Sequence, residues 1–103
     1  MELLMITAIK EFEEVIKTIL KNSSVVAFSS MPVAGYSNGI DEDMQSNWFA
    51  REKGESDSIL FYAFVAENNA KLVLGEIENF NKTNEVKSKI HVAILDIKES
   101  NIV

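Results

Sequence analysis

Ser58–Ala66 reads SILFYAFVA, with eight apolar residues in succession from Ile59 to Ala66. Aromatic and branched side chains dominate the run, and they favour the pleated, half-buried surface of a strand. A strand with one wet face alternates apolar and polar residues, whereas an unbroken run needs cover on both faces. Leu3–Ile6 near the start of the chain and Val92–Leu95 near its end are apolar on both faces in the same way. Three strands of this kind, with little else to cover them, set the problem that the rest of the sequence has to solve.

Working outward, Glu67–Lys82 (ENNAKLVLGEIENFNK) carries Ala70, Val73, Leu74, Ile77 and Phe80 at helical spacing. Glu67 or Asn68 is available to start this helix, and Asn81–Asn84 to end it. A last strand follows in Ser88–Ile97, SKIHVAILDI. On the amino-terminal side, residues 2–8 (ELLMITA) form a first strand. In residues 9–22 (IKEFEEVIKTILKN), Ile9, Phe12, Ile16 and Ile19 fall on one stripe, widened by Val15 and Leu20, which is the pattern of an amphipathic helix. Asn22–Ser24 break that helix. Ser24–Val33 (SVVAFSSMPV) then reads as a second strand near its limit at Pro32, because proline cannot donate to a sheet ladder. Gly35 permits a bend beyond it.

The order is βαββαβ in one domain spanning residues 1–103, the ferredoxin-like arrangement. The fold class is α+β, with an antiparallel sheet and both helices on one of its faces. The other face would then be apolar and bare, and no residues are left over to cover it. The economical inference is a homo-oligomer whose sheets pack inward.

Composition narrows the function. The hydrophobic and charged fractions, 47% and 25%, are those of a globular protein. A net charge of −6 gives no electrostatic reason to bind nucleic acid, whose affinity rests on cations neutralising phosphates. The chain contains no cysteine, which excludes disulfides, thiolate metal sites and cysteine nucleophiles and agrees with a cytoplasmic location. Its first residues read as a strand rather than a signal peptide. No apolar run approaches the roughly 20 residues of a spanning helix, so a membrane role would come through a partner. With one histidine and no nucleophile–base pattern, no catalytic machinery is visible, and the expectation is that the protein is not an enzyme.

The segment 37–56, SNGIDEDMQSNWFAREKGES, holds the only tryptophan, the only arginine, two of the four glycines and five of the sixteen acids. It interrupts the fold between the second and third strands. In its placement and length, and in the order of elements around it, the chain resembles the PII-like signalling proteins. Local matches are VAGY (residues 33–36) at the entrance to the segment and SKIHVAILDI at the last strand, which is similar to the family's GKIFV segment, with Lys89 in the place of its lysine. The resemblance implies a compact homotrimer with its sheets inside and a T-loop at about residues 35–57. It also implies a regulatory function, in which a small ligand is sensed and the T-loop docks on a target such as a membrane transporter.

Under that reading Gly35, Tyr36, Trp48, Phe49 and Arg51 contact the effector or partner, tryptophan and arginine being the residue types most enriched among interface anchors. Lys89 is the implied effector contact at the last strand. The chain departs from the nucleotide-binding members in two places. NKTNEVKSK stands where they carry a glycine-rich turn, and the tail KESNIV has no arginine. ATP is therefore not the expected effector, and another small molecule or a divalent metal is.

The metal reading rests on two sets of residues. Asp41, Glu42 and Asp43 offer oxygen ligands but lack the spacing of a calcium loop, so a solvated acidic turn is the plainer account. His91 lies within a strand, where a structural role is the commoner one; repeated three times around a trimer axis, it could form a metal site. A divalent-metal-binding or metal-tolerance trimer is the alternative function.

Overall fold

The computed structural model describes residues 1–37, 54–84 and 88–102. Among the described residues, four strands and two α-helices follow the expected order. They are β1 (Glu2–Ile9), α1 (Glu13–Asn22), β2 (Ser29–Ser37), β3 (Gly54–Val65), α2 (Glu67–Thr83) and β4 (His91–Asp96), with a short 3₁₀ turn at Lys10–Phe12 leading into α1. The strands form one sheet in the order β2-β3-β1-β4, antiparallel throughout. The double-sided apolar strands β3 and β1 are thus the two central ones.

Both helices lie on one face. Leu4, Ile6 and Ala8 of β1 alternate with half-exposed neighbours and turn their side chains into the core. Ile59, Phe61, Ala63 and Val65 do the same from β3. The helices meet them with Ile16, Ile19 and Leu20 from α1 and Ala70, Val73 and Ile77 from α2. The centres of the stripes read from the sequence are the positions that the fold buries, but Ile9, read as the first residue of the α1 stripe, is instead the last residue of β1 and half-buried. Phe12 and Phe80 close one end of the core edge to face, with ring centroids 5.2 Å apart at 79°.

The second strand differs from the sequence expectation at both ends. The sequence predicts it at Ser24–Val33, stopping near Pro32 and bending at Gly35. Instead it begins at Ser29 and runs through Pro32 and Gly35 to Ser37. The late start comes from the end of α1. Ser24 takes a left-handed φ of 63°, and the amides of Ser23, Ser24 and Val25 return to carbonyls of the last turn. Val25 is buried and Val26 almost wholly exposed while the chain crosses back from the helix layer to the sheet. Proline is tolerated because β2 is an edge strand, whose outer backbone groups need no ladder partner. Gly35 is buried within the strand, opposite Ser56.

Two smaller differences concern helix α2 and strand β4. The N-cap of α2 is Ala66, which supplies no side-chain cap, and Glu67 instead favours the helix dipole from the first turn. Strand β4 starts at His91 rather than Ser88, because the backbone of Ile90 is held by a side chain. Asn81 Nδ2 donates to the Ile90 carbonyl at 2.9 Å, and the Ile90 amide donates to Asn81 Oδ1 at 3.0 Å.

Candidate functional site: the open sheet face and the hairpin arm

The register places three rows of side chains on the sheet face turned away from the helices. One row is His91, Thr7, Leu60 and Met31; the next is Ala93, Met5, Tyr62 and Ser29; the third is Leu95, Leu3 and Phe64. No element among the described residues covers them. Phe64 is 47% exposed, and Met31 and Leu95 are each 43% exposed. Tyr62 and Phe64, two residues apart on the same strand, pack edge to face at 6.2 Å. A contiguous apolar face of this kind marks an interaction surface, since monomers rarely leave one bare.

One polar atom on this face stands out. The Thr7 hydroxyl is buried and has no hydrogen-bond partner among the described residues. Native structures leave few such atoms, and each calls for an explanation. Thr7 lies directly opposite His91, which is half-buried at the first position of β4.

β2 and β3 continue past the end of β1. Ile9 is the last β1 residue, opposite Ser58, whereas β2 and β3 stay paired as far as Ser37 and Gly54. The result is a two-stranded arm, Ala34–Ser37 against Gly54–Asp57, projecting beyond the four-stranded body. The sequence reading begins a loop at about residue 35 and ends it at about 57. Residues 35–37 and 54–57 are instead strand, because each pairs with the other across the arm. Tyr36 stands 69% exposed on the arm.

The sequence-based site residues therefore separate. Gly35 and Tyr36 lie on the arm at the β2 edge of the sheet. Lys89 and His91 lie at the β4 edge, with two strands between. Within one subunit they do not converge. Lys89 is exposed, and its Nζ donates to the Asn81 backbone carbonyl at 3.1 Å. Trp48, Phe49, Arg51, Asp41, Glu42 and Asp43 lie outside the described residues. Among the described residues no group of three histidines, cysteines or acids could hold a metal ion. No described helix is long and apolar enough to cross a membrane.

Asn81 is the residue that sequence reading misses. It is visible only as one of several asparagines ending a helix, and its partner lies nine residues downstream across a turn. No local pattern announces such a pairing.

The fold has counterparts among solved structures. CPII, a nitrogen regulatory PII-like protein from Thiomonas intermedia K12, superposes with a TM-score of 0.69 at 16% identity, over 99% of this chain and 94% of that one. The fold is PII-like. A DUF3240 family protein from Shewanella baltica gives a TM-score of 0.66, again at 16% identity, over 99% of this chain and 94% of its own. A PII-like signalling candidate from Thermus thermophilus gives 0.62 at 13% identity, over 90% of this chain and 80% of its own. The CPII structure is bound to ADP, AMP and bicarbonate. No family model matches the sequence, and no curated protein matches it significantly.

Proposed function

We propose that this chain is the subunit of a PII-like homotrimeric regulatory protein that senses a small ligand and docks the segment beyond its hairpin arm on a target, in the first instance a membrane transporter. The observation that carries the reading is the open sheet face. Its apolar rows need cover, and burying the exposed part of side chains such as Phe64, Leu95 and Met31 is worth on the order of 1 kcal/mol each. The PII-like fold supports three copies as the form this cover takes.

A trimer also accounts for the separation of the site residues. Two edges of one sheet that do not meet within a subunit can meet across a subunit boundary, bringing the arm of one copy beside Lys89 of the next. The effector proposed for such a cleft is a small anion of the bicarbonate or carboxylate kind. ATP is disfavoured because the turn before β4 has no glycine through which backbone amides could approach phosphates.

A thermal-shift screen against bicarbonate, carboxylates, adenine nucleotides and divalent metals tests the ligand. A compound that binds only the folded protein at about 100 times its dissociation constant adds roughly 2.7 kcal/mol, a shift of many degrees for a domain of this size. Calorimetry with ATP is expected to give no micromolar binding. Micromolar ATP affinity would show that lysines have replaced the missing glycines and arginines.

A further inference from the structure

On the layer opposite the open sheet face, α1 and α2 leave a groove of about 450 Å³ between them. Val15, Ile19 and Phe80 supply its apolar side chains, with neutral polar groups such as Thr18 around them. Among the described residues its only charged lining groups are Glu14 and Glu76. The nearby Lys17 is already engaged, with Nζ 3.3 Å from Glu13 and 3.5 Å from Glu14; the hydrogen bond to Glu13, then the charge of Glu14, hold its ammonium above the usual lysine range.

Two further features of α2 lie outside the groove's lining, on the solvent side of the same helix, and neither serves the packing of the described residues. Leu72 is 55% exposed and shares a helical stripe with Glu76, Asn79 and Thr83, at i, i+4, i+7 and i+11. Gly75 lies one turn from both Leu72 and Asn79, within the helix. A methyl group at its Cβ position would meet nothing within 4 Å. Glycine weakens an exposed helix relative to alanine, and no contact among the described residues requires it. A helix lacking a side chain at one point beside an exposed leucine offers a place where a second backbone can come close.

We propose that the α1–α2 groove, with Leu72 and Gly75, docks one amphipathic helix of a partner protein, its apolar stripe in the groove and its flanking lysines or arginines beside Glu14 and Glu76. The cationic character follows mainly from Glu76, because the other lining carboxylate, Glu14, already shares the Lys17 ammonium at 3.5 Å. The helical form follows from the shape, two helices with a trough between them, which accepts a third helix through anchors at i, i+3, i+4 and i+7. α1 is 10 residues long. At 1.5 Å per residue it is about 15 Å in length, so roughly three turns of partner helix fill the trough. The surface lies on the helix side, so covering the sheet face with other subunits leaves it open. The proposal does not depend on the trimer or on the effector.

The test uses a fluorescein-labelled Leu/Lys amphipathic helical peptide and a Leu/Glu peptide with the same apolar stripe, each titrated with the full chain and followed by anisotropy. The Leu/Lys peptide is expected to bind at least about tenfold more tightly than its acidic counterpart. Gly75→Leu leaves the net charge unchanged and is expected to weaken that binding about tenfold, as is Thr18→Lys on the facing helix. Because Gly75→Leu and Thr18→Lys change different helices, failure of one variant to fold leaves the other to decide. Amide shift changes on the wild-type protein should centre on α1 and α2. The proposal is overturned if the Leu/Lys peptide does not bind, if both peptides bind equally, if the folded variants bind as wild type does, or if the shift changes centre on the sheet face. It is also overturned if Gly75→Leu lowers the oligomeric state measured by light scattering, because the groove's occupant would then be a second copy of this chain.

Discussion

Asn81 shows how much of the site depends on single side chains. It projects from the last turns of α2 and pairs with both backbone groups of Ile90, as a neighbouring strand would. Its own carbonyl accepts the Lys89 ammonium at 3.1 Å. One residue thus sets where β4 begins and where the lysine preceding it points. Asn81→Ala would strand a part-buried amide and a carbonyl, each costing about 1–3 kcal/mol when unsatisfied. A loss of about 2 kcal/mol is expected, read as a lower urea midpoint at unchanged slope. An unchanged midpoint would mean that water replaces both bonds. Lys89 is legible from the sequence because it sits in a recognisable run, whereas Asn81 is not, because its partners are backbone atoms that any residue would supply. Trp48 is the converse case, singled out by composition alone. Trp48→Ala is expected to leave the melting temperature unchanged and to remove target binding; a large fall in melting temperature would make Trp48 a structural residue.

Among the elements, the helices are the most readable, since periodic apolar positions state the face and, for α2, the extent; α1 starts at Glu13, four residues later than the stripe from Ile9 suggests. Ile16, Ile19, Ala70, Val73 and Ile77 are buried where the spacing places them. Strand β2 is the least readable. Val25, Val26 and Phe28 have the composition of a strand, yet they form the ascent from the helix layer, because the left-handed turn at Ser24 ends α1 before the chain has reached the sheet. Pro32 and Gly35 look like terminators and are strand residues, because an edge strand tolerates both where a central one would not. The arm is thus encoded by position in the sheet rather than by local propensity. Gly75 bears the opposite relation to its element, being a poor helix former in a helix that has room for better. Gly75→Ala is expected to stabilise the isolated protein by about 1 kcal/mol, seen as a higher melting temperature. A fall would reveal a contact at Gly75 already present in the free protein.

For the whole molecule, the decisive fact is that both faces of one sheet are apolar but, among the described residues, only one has helices. SILFYAFVA makes this legible, as an unbroken run that has no one-sided explanation. The arrangement of the sheet's edges is hidden from such a reading, since it depends on strand order, and here the order puts Gly35 and Lys89 at opposite edges. Two aromatic positions on β3 offer a clean separation between folding and assembly. Phe61 is 1% exposed beneath the helices, and Phe64 lies on the open face. A carboxylate at Phe61 cannot be hydrated without opening the core, so Phe61→Asp is expected to unfold the subunit outright. Phe64→Asp places its charge on a surface that is wet in the single subunit and dry in the assembly. At micromolar concentration the wild-type chain should have the mass of a trimer by light scattering, and Phe64→Asp should give a folded species of lower mass, with helical circular dichroism retained. If the two substitutions have the same effect, the open face contributes to the subunit's own stability in a way its exposure does not reveal. If Phe64→Asp leaves the mass at three copies, the sheets do not face inward, and the arm and Lys89 of neighbouring subunits are not brought together by them.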